Sequence, residues 1–339
     1  MTQLVELQAA LPKFAEAGIK IYAISYDELG ALEDFAEHHD ITYPLLADQG
    51  SQVIREFGIL NHHVTEEQVP YHGIPFPGTY LVDEDGVVTA KAFHRSVAQR
   101  ESAEGLIDAA LGEILLRSED PATTMSDQSG IELSMTYHGG GGVIRGGTMR
   151  RLVVRFDLPE GLHVYDEPVP TGMVATSFTL VGPDGLRSLP VEKPPTQPFE
   201  LPGVGQLQVW SGRVDFEIPV WATDEIASLV RSDSPDRVTI ELDVAYQACD
   251  DEVCRLPRTE RLELDVPVDS YVGPALRGGG MAGATATSMD TSKWLGEMVT
   301  RGLDAAPDRD AALDYLARAA EGVAAGPLSD EGDQATPTA

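Results

Sequence analysis

Cys249 and Cys254 are the two cysteines of this 339-residue sequence, and they lie in the segment VAYQACDDEVCRLP at positions 244–257. A disulfide needs Cα atoms about 4.4–6.8 Å apart, a separation that the tip of a hairpin with four intervening residues supplies. Closing so short a loop restricts the unfolded chain little, so the pair is better suited to opening and closing than to stabilising the fold. Two alternatives stay open: a permanent structural disulfide, and a pair of reduced thiols with no chemical role.

The charged residues around the two thiols act in opposite directions. Three carboxylates between the cysteines, those of Asp250, Asp251 and Glu252, raise the pKa of a neighbouring thiol, whereas Arg255 and Arg258 lower it. The spacing decides neither the net effect nor which sulfur is attacked first. Because exchange depends on the thiolate fraction and on the leaving thiol, we predict slow reaction with small thiols and reliance on a docked partner.

We expect neither a metal site nor a cofactor. A zinc site needs about four ligands, and the segment around the cysteine pair offers two sulfurs and no histidine. A second polar group, His62, His63 and His72 with Glu66 and Glu67, has no spacing that is typical of a metal site. Polar residues of a surface loop are the better interpretation of that group.

The first third of the sequence alternates helical and strand-like patterns. Residues 3–17 place Leu4, Leu7, Leu11 and Phe14 on one face of a helix. The remaining predicted elements are a strand at 19–25, a helix at 28–40, strands at 79–83 and 87–93, and a helix at about 100–117. Strand and helix in alternation predict an α/β domain.

The sequence after residue 130 changes character, because helical periodicity gives way to short alternating segments separated by turn signals such as LPEG and GPDG. Six or more such segments predict an antiparallel β-sandwich. The predicted core positions of this sandwich are Val153, Val154, Phe156, Phe178, Phe216, Ile240, Leu242 and Val244.

Residues 1–95 resemble the redoxin branch of the thioredoxin-like superfamily, the alkyl hydroperoxide reductase and thiol-specific antioxidant proteins. The most specific piece is PGTYLVDEDG at 77–86. The resemblance implies a substrate-facing role for Pro77, Gly78 and Thr79, because the proline before this strand is often cis and faces the reactive thiol in that family. Many peroxide-reducing relatives carry arginine at the position of Pro77, so the proline favours a thiol–disulfide reductase over a peroxidase.

The same resemblance implies a catalytic cysteine just before the helix that continues QLVELQ, yet this sequence begins at Met1-Thr2-Gln3. A central strand would be missing with it, which would leave unpaired backbone groups in the sheet. We therefore expect the true start to lie upstream of Met1. The alternative is a degenerate domain kept as a docking surface. As written, the first domain is expected to be inactive for lack of its catalytic cysteine.

Residues 128–268 resemble a second family, the N-terminal domain of the thiol:disulfide interchange protein DsbD, an immunoglobulin-like module. The segments that carry this resemblance are GLHVYD at 161–166 and YQACDDEVCRLP at 246–257. It implies that Cys249 and Cys254 alternate between dithiol and disulfide and exchange electrons with a thioredoxin-like partner. Tyr246 and Gln247 belong to the same motif and are implied to contact that partner.

The predicted organisation follows the chain: a thioredoxin-like redoxin domain truncated at its N-terminus (1–120), a linker (121–130), an immunoglobulin-like disulfide-exchange domain (131–270), a Gly/Ala-rich linker (271–290), a helical segment (291–323) and a disordered tail (324–339). The formal net charge of −31 disfavours nucleic-acid and anionic-lipid partners. No apolar run long enough for a membrane span and no secretory signal are visible, which predicts a cytoplasmic location, or an extracytoplasmic one if the true start lies upstream.

The sequence therefore predicts a thiol–disulfide oxidoreductase of the antioxidant family whose active pair is Cys249 and Cys254, with peroxidase activity not expected from this chain alone. The alternative is a non-enzymatic binding module that docks a redox partner. Loss of partner reduction when both cysteines are replaced by serine would distinguish the enzyme from the binding module.

Overall fold

A computed structural model describes residues 2–69, 71–93, 100–127, 130–201, 205–223, 225–226, 237–250, 253–269, 272–274, 285–287 and 292–325. The chain forms two compact units. Unit 1 contains residues 1–19 and 77–272, and unit 2 contains residues 20–76 and 273–339. In the described part of the chain, no helix is long and apolar enough to cross a bilayer.

Unit 2 contains short α/β elements and a terminal helical pair. Its elements in chain order are β1 (Ala23–Ser25), α3 (Leu29–His38), β2 (Leu45–Ala47), α4 (Gln52–Glu56), β17 (Val272–Pro274, which begins at the last residue of unit 1), β18 (Thr285–Thr287), α6 (Ser292–Ala305) and α7 (Arg309–Ala325). Strands β1 and β2 are parallel. The predicted helices at 28–40 and 291–323 agree closely with α3 and with α6 and α7. Most of the predicted tail at 324–339 lies outside the described residues.

Unit 1 begins with helices α1 (Thr2–Ala9) and α2 (Leu11–Glu16), where the sequence predicts one continuous helix. Pro12 stands at the first turn of α2, a position that tolerates proline, whereas inside a continuous helix it would remove a backbone hydrogen bond. Strands β3 (Gly78–Val82) and β4 (Val88–Phe93) pair antiparallel, as the strand predictions at 79–83 and 87–93 require.

Helix α5 (Ala103–Leu111) is shorter than the predicted helix at 100–117, because both of its ends are capped. Ser102 accepts a hydrogen bond from the Gly105 amide at 3.0 Å, which fixes the start. Gly112 ends the helix in the left-handed conformation at φ 74°, which glycine adopts without strain.

The rest of unit 1 is an antiparallel β domain. Its strands are β5 (Ala122–Ser126), β6 (Glu132–His138), β7 (Arg150–Asp157), β8 (His163–Tyr165), β9 (Ser177–Gly182), β10 (Leu186–Ser188), β11 (Gln197–Leu201), β12 (Gly205–Ser211), β13 (Arg213–Ala222), β14 (Arg237–Tyr246), β15 (Ala248–Cys249) and β16 (Arg258–Pro267). They form sheets in the orders β10-β13-β7-β6-β5, β11-β12-β8-β15 and β16-β14-β9. The segment 121–130, predicted as a linker, contributes strand β5 through its pairing with β6.

The core of this domain lies where the sequence predicts it. Six of the eight predicted core side chains belong to one buried apolar cluster: Val154, Phe156, Phe216, Ile240, Leu242 and Val244. Phe178 is partly buried against that cluster, and Val153 is buried but is not a member of it. Strand β14 illustrates why the sequence predicts these core positions, because its buried and more exposed residues alternate along its whole length. Such alternation places one face of a strand on the core.

Two buried polar clusters also lie in unit 1. The Glu6 carboxylate on α1 accepts a hydrogen bond from Arg150 Nη2 on β7 at 2.7 Å, and both side chains are buried. His138 at the end of β6 lies between Asp108 and Asp120, with each ring nitrogen 2.7 Å from a carboxylate oxygen. The first cluster joins α1 to the β domain. The second joins α5 and the segment after it to the β domain.

Candidate functional site: an asymmetric disulfide hairpin

A disulfide joins Cys249 and Cys254, whose Cα atoms are 4.1 Å apart, slightly closer than the range of about 4.4–6.8 Å that is usual for disulfides. Cys249 ends β15, which pairs with β8 so that Cys249 lies opposite His163. The chain then turns back, and Cys254 forms an isolated antiparallel bridge with Cys249. The hairpin geometry that the sequence spacing allows is therefore present.

Backbone and side-chain hydrogen bonds close the hairpin without using either sulfur. The Asp250 amide donates to the Val253 carbonyl at 3.1 Å, and the Arg255 amide donates to the Ala248 carbonyl at 2.9 Å. The Asp250 carboxylate accepts from the Val253 amide at 2.7 Å. Asp251 and Glu252, which the sequence analysis places beside the thiols, lie outside the described residues.

The two sulfur-bearing residues differ sharply in burial. Cys249 has no exposed surface and packs in a small apolar cluster with Tyr165, Leu207 and Val209. Cys254 is exposed, and the apolar side chains beside it, Val253 and Leu256, are 60% and 85% exposed. A reagent or partner in solution therefore reaches the residue at 254 far more readily than the residue at 249.

Two side chains of β8 extend from the disulfide into the core. The Tyr165 hydroxyl lies 3.9 Å from Cys254 Sγ, and His163 Nε2 lies 2.9 Å from the same hydroxyl. Burial raises the pKa of Tyr165 above its ordinary value, so the phenol stays protonated near neutral pH. Sequence analysis did not single out these two residues. Their signal was the strand-like spacing of 163 and 165, which places both on one face.

Gln247 fixes the base of the hairpin. Its side-chain oxygen accepts from the Val174 amide at 3.0 Å, and its side-chain nitrogen donates to the Arg255 carbonyl at 2.8 Å. Gln247 is 7% exposed, so its amide group is committed to these internal bonds. This geometry favours a positioning role over direct contact with a partner.

Tyr246 lies in the core beside the hairpin. It is 1% exposed and meets the Phe156 ring edge-on at a centroid distance of 5.4 Å. Its hydroxyl has no hydrogen-bond partner among the described residues, and burial raises its pKa to about 12. The contacts of Tyr246 are therefore those of a packing residue.

Pro77, Gly78 and Thr79 lie at the start of β3, and no hydrogen bond within the described residues joins them to either cysteine. The cis peptide bonds found in the described chain precede Pro168 and Pro183, and the bond before Pro77 is trans. Gly78 pairs with Phe93, and a Cβ at position 78 would overlap the Phe93 ring. Gly78 is thus required for packing within this strand pair.

No group of three or more His, Cys, Asp or Glu side chains in the described part of the chain is arranged to hold a metal ion. The rings of His62 and His63 each meet the Phe76 ring edge-on, at centroid distances of 5.2 and 5.7 Å.

Two families match the chain. Residues 1–91 match the AhpC/TSA family, and residues 144–266 match the family of the N-terminal region of thiol:disulfide interchange protein DsbD. The chain therefore contains a segment similar to the AhpC/TSA family, followed by a segment similar to the N-terminal region of DsbD. This confirms both predicted resemblances and the predicted order, a thioredoxin-like region followed by an antiparallel β domain.

Individual relatives cover only parts of the chain. A thiol-disulfide oxidoreductase ResA from Bacillus thuringiensis is 31% identical over 78 residues, which is 23% of this chain and 37% of that protein. An alkyl hydroperoxide reductase C from Staphylococcus saprophyticus is 30% identical over 93 residues, 26% of this chain and 45% of that protein. The chain thus spans less than half the length of these curated relatives.

Two solved structures are similar to parts of the chain. The N-terminal periplasmic domain of ScsB from Proteus mirabilis is 18% identical with a TM-score of 0.31, covering 44% of this chain and 52% of that one. The N-terminal domain of DsbD from Neisseria meningitidis in its reduced form is 15% identical with a TM-score of 0.24, covering 45% of this chain and 95% of that one.

Proposed function

We propose that this protein is a thiol–disulfide oxidoreductase whose Cys249–Cys254 pair exchanges electrons with a thioredoxin-like partner. The observation that carries the proposal is the asymmetric disulfide hairpin, in which one cysteine is buried and the other is exposed. A disulfide that only stabilises a fold gains little from closing a six-residue loop. A redox disulfide needs an accessible sulfur for the attacking thiolate.

The difference in burial between the two cysteines supports an order of attack. The partner's thiolate attacks Cys254 Sγ and forms an intermolecular disulfide, while the bond to Cys249 breaks and its electron pair stays on Cys249 Sγ as a thiolate. A second thiolate on the partner then attacks the partner's own sulfur, and Cys254 leaves as a thiolate. The pair gains two electrons, and the partner dithiol becomes a disulfide. The same steps in reverse transfer electrons out of the pair.

The hairpin tip supplies a surface for that partner. Val253 and Leu256 expose most of their apolar area beside Cys254, and burying such area is the main gain in protein association. Glutathione is too small to cover both side chains. We therefore expect exchange with a reduced thioredoxin to be much faster than exchange with glutathione at the same thiol concentration.

The part of the redoxin segment that this sequence contains supplies no thiol to this reaction. Residues 1–120 contain no cysteine, and a thiolate is the group that attacks a peroxide or a disulfide. We assign the thiol chemistry of this chain to the β domain and expect no peroxidase activity from the chain by itself.

The test measures oxidation of a reduced bacterial thioredoxin by the full-length oxidised chain. We expect one thioredoxin disulfide per chain, and none with the variant carrying Cys249→Ser and Cys254→Ser. Single substitutions test the order of attack, because Cys249→Ala should trap thioredoxin on Cys254 and Cys254→Ala should trap little. Thioredoxin that binds without being oxidised would make the chain a binding module and overturn the proposal. Equal trapping by both single variants would overturn the order.

A further inference from the structure

The hydroxyl group of Tyr165 lies 3.9 Å from Cys254 Sγ, the sulfur of the exposed cysteine. Behind it, His163 Nε2 lies at 2.9 Å from the hydroxyl oxygen. Both side chains are nearly inaccessible, with Tyr165 fully buried and His163 4% exposed. Two polar groups are thus aligned from the core toward one sulfur of the disulfide.

The direction of these hydrogen bonds follows from counting hydrogens. A disulfide sulfur carries no hydrogen, so Tyr165 must be the donor in its contact with Cys254. The hydroxyl has a single hydrogen, which it donates to the sulfur. In its contact with His163, the hydroxyl oxygen must therefore accept a hydrogen bond. His163 therefore carries a hydrogen on Nε2, and both donors point toward the sulfur.

We infer that His163 and Tyr165 form a hydrogen-bond relay that stabilises the thiolate of Cys254 when the disulfide opens. Tyr165 is the catalytic residue, because its hydroxyl contacts the reacting sulfur. His163 is a positioning residue, because it acts through Tyr165 by fixing the hydroxyl hydrogen toward the sulfur. The inference rests on the proposed function, in which Cys254 leaves the mixed disulfide as a thiolate.

The relay acts at a defined step. When the partner's second thiolate attacks the partner sulfur, the electron pair of the intermolecular bond moves to Cys254 Sγ. The hydroxyl hydrogen of Tyr165 stays on oxygen and donates to the new negative charge, and charge-assisted bonds of this kind are about twice as strong as neutral ones. No proton leaves the protein and no further reactant is needed. In the reverse direction, the same contact raises the thiolate fraction of the attacking Cys254.

Charged neighbours affect the stability of the Cys254 thiolate, and aromatic neighbours orient His163. Asp250 follows Cys249, and its negative charge disfavours a nearby thiolate, whereas Arg255 follows Cys254 and favours it. The imidazole of His163 packs against Phe199 of β11 at a ring-centroid distance of 4.2 Å and against the Tyr165 ring at 5.1 Å. These ring contacts fix the orientation of His163 independently of its hydrogen bond.

The test measures the pKa of a single thiol in the full-length chain carrying Cys249→Ala, from the ultraviolet absorbance of the thiolate as a function of pH. Adding Tyr165→Phe or His163→Phe keeps the ring packing and removes a donor. Each should raise the pKa of Cys254 by about one unit, the size expected for losing a hydrogen bond to a charged group. A pKa higher by one unit lowers the thiolate fraction about tenfold at neutral pH, but the remaining thiolate is more nucleophilic. Alkylation should therefore slow only about threefold.

Rescue and control variants separate a relay from a packing effect. His163→Gln restores a side-chain donor and should return the pKa of Cys254 toward its starting value. Tyr137→Phe removes a buried hydroxyl from strand β6 and should leave that pKa unchanged. Circular dichroism verifies folding of each variant.

An unchanged pKa in folded Tyr165→Phe, or equal effects of His163→Phe and His163→Gln, would overturn the relay. Because no partner is present in this measurement, it is independent of thioredoxin oxidation. A chain that fails to oxidise thioredoxin yet shows the pKa shifts would refute the proposed function and leave the relay standing.

Discussion

Raising the pH from 6 to 9.5 should destabilise the β domain through His138, the buried imidazole at the end of β6. Each of its ring nitrogens lies 2.7 Å from a carboxylate oxygen, one of Asp108 and one of Asp120. Ionised carboxylates only accept hydrogen bonds, so both ring nitrogens must carry hydrogen and the imidazole is charged. Deprotonation would leave one buried carboxylate facing a nitrogen lone pair.

The magnitude follows from the shift in the pKa of His138. Burial alone lowers this pKa, but the hydrogen bonds and charges of Asp108 and Asp120 outweigh it and raise the pKa from 6.5 to about 9. A difference of that size corresponds to about 3 kcal/mol of folding free energy. Because the folded-state pKa is the higher one, this contribution is complete below pH 6.5 and is lost as the pH rises through 9.

Urea unfolding, monitored by tryptophan fluorescence, measures this pH-dependent loss of stability, because Trp210 is buried in the core of the same domain. The difference in unfolding free energy between the natural chain and His138→Gln should shrink by about 3 kcal/mol between pH 6 and 9.5. His39→Gln is the matched control, because burial lowers the pKa of His39, so loss of its proton as the pH rises does not destabilise the fold. A difference that stays constant with pH for His138→Gln would refute the doubly hydrogen-bonded imidazolium.

Three further predictions concern other contacts of unit 1. Glu6→Ala leaves the guanidinium of Arg150, which is 1% exposed, without its ion pair. It should lower the free energy of unfolding by about 3–5 kcal/mol. A loss below about 1 kcal/mol in urea unfolding would contradict the buried pair. Gly78→Ala forces a methyl group into the Phe93 ring and should cost about 1–3 kcal/mol, and adding Phe93→Leu should recover part of that loss in the same assay. In the reduced chain, brief alkylation followed by peptide mass spectrometry should find Cys254 modified well before the other cysteine, and equal labelling would contradict the observed burial.

Local sequence patterns were sufficient to predict many of the strands and core residues of the β domain. Alternation along β14 depends only on the two-residue period of a strand, so Ile240, Leu242 and Val244 could be assigned to the core without knowing which strands they pair with. The helix caps at Ser102 and Gly112 carried equally local signals. The predicted helix at 100–117 overran both, although each residue type was visible in the sequence.

Contacts between distant segments could not be predicted in this way. Strand β5 exists because Ala122–Ser126 pairs with β6, and its polar composition by itself is typical of a linker. At the site, the spacing of the two cysteines was sufficient to predict a hairpin disulfide. The burial of Cys249 and the contact of Tyr165 with Cys254 depend on the pairing of β15 with β8, whose residues lie more than 80 positions earlier in the chain.

The hydrogen bonds of the hairpin bear on how the proposed exchange proceeds. The amide of Arg255 and the side chain of Gln247 hold the two arms together without involving sulfur, so breaking the disulfide leaves these bonds intact. The two thiols then stay close enough to reform the disulfide without a search through other conformations. On the proposed function, opening and closing require little rearrangement of the backbone. The rate of exchange should therefore depend on how well a partner covers the exposed surface beside Cys254 and on the stability of its thiolate, and not on movement of the hairpin.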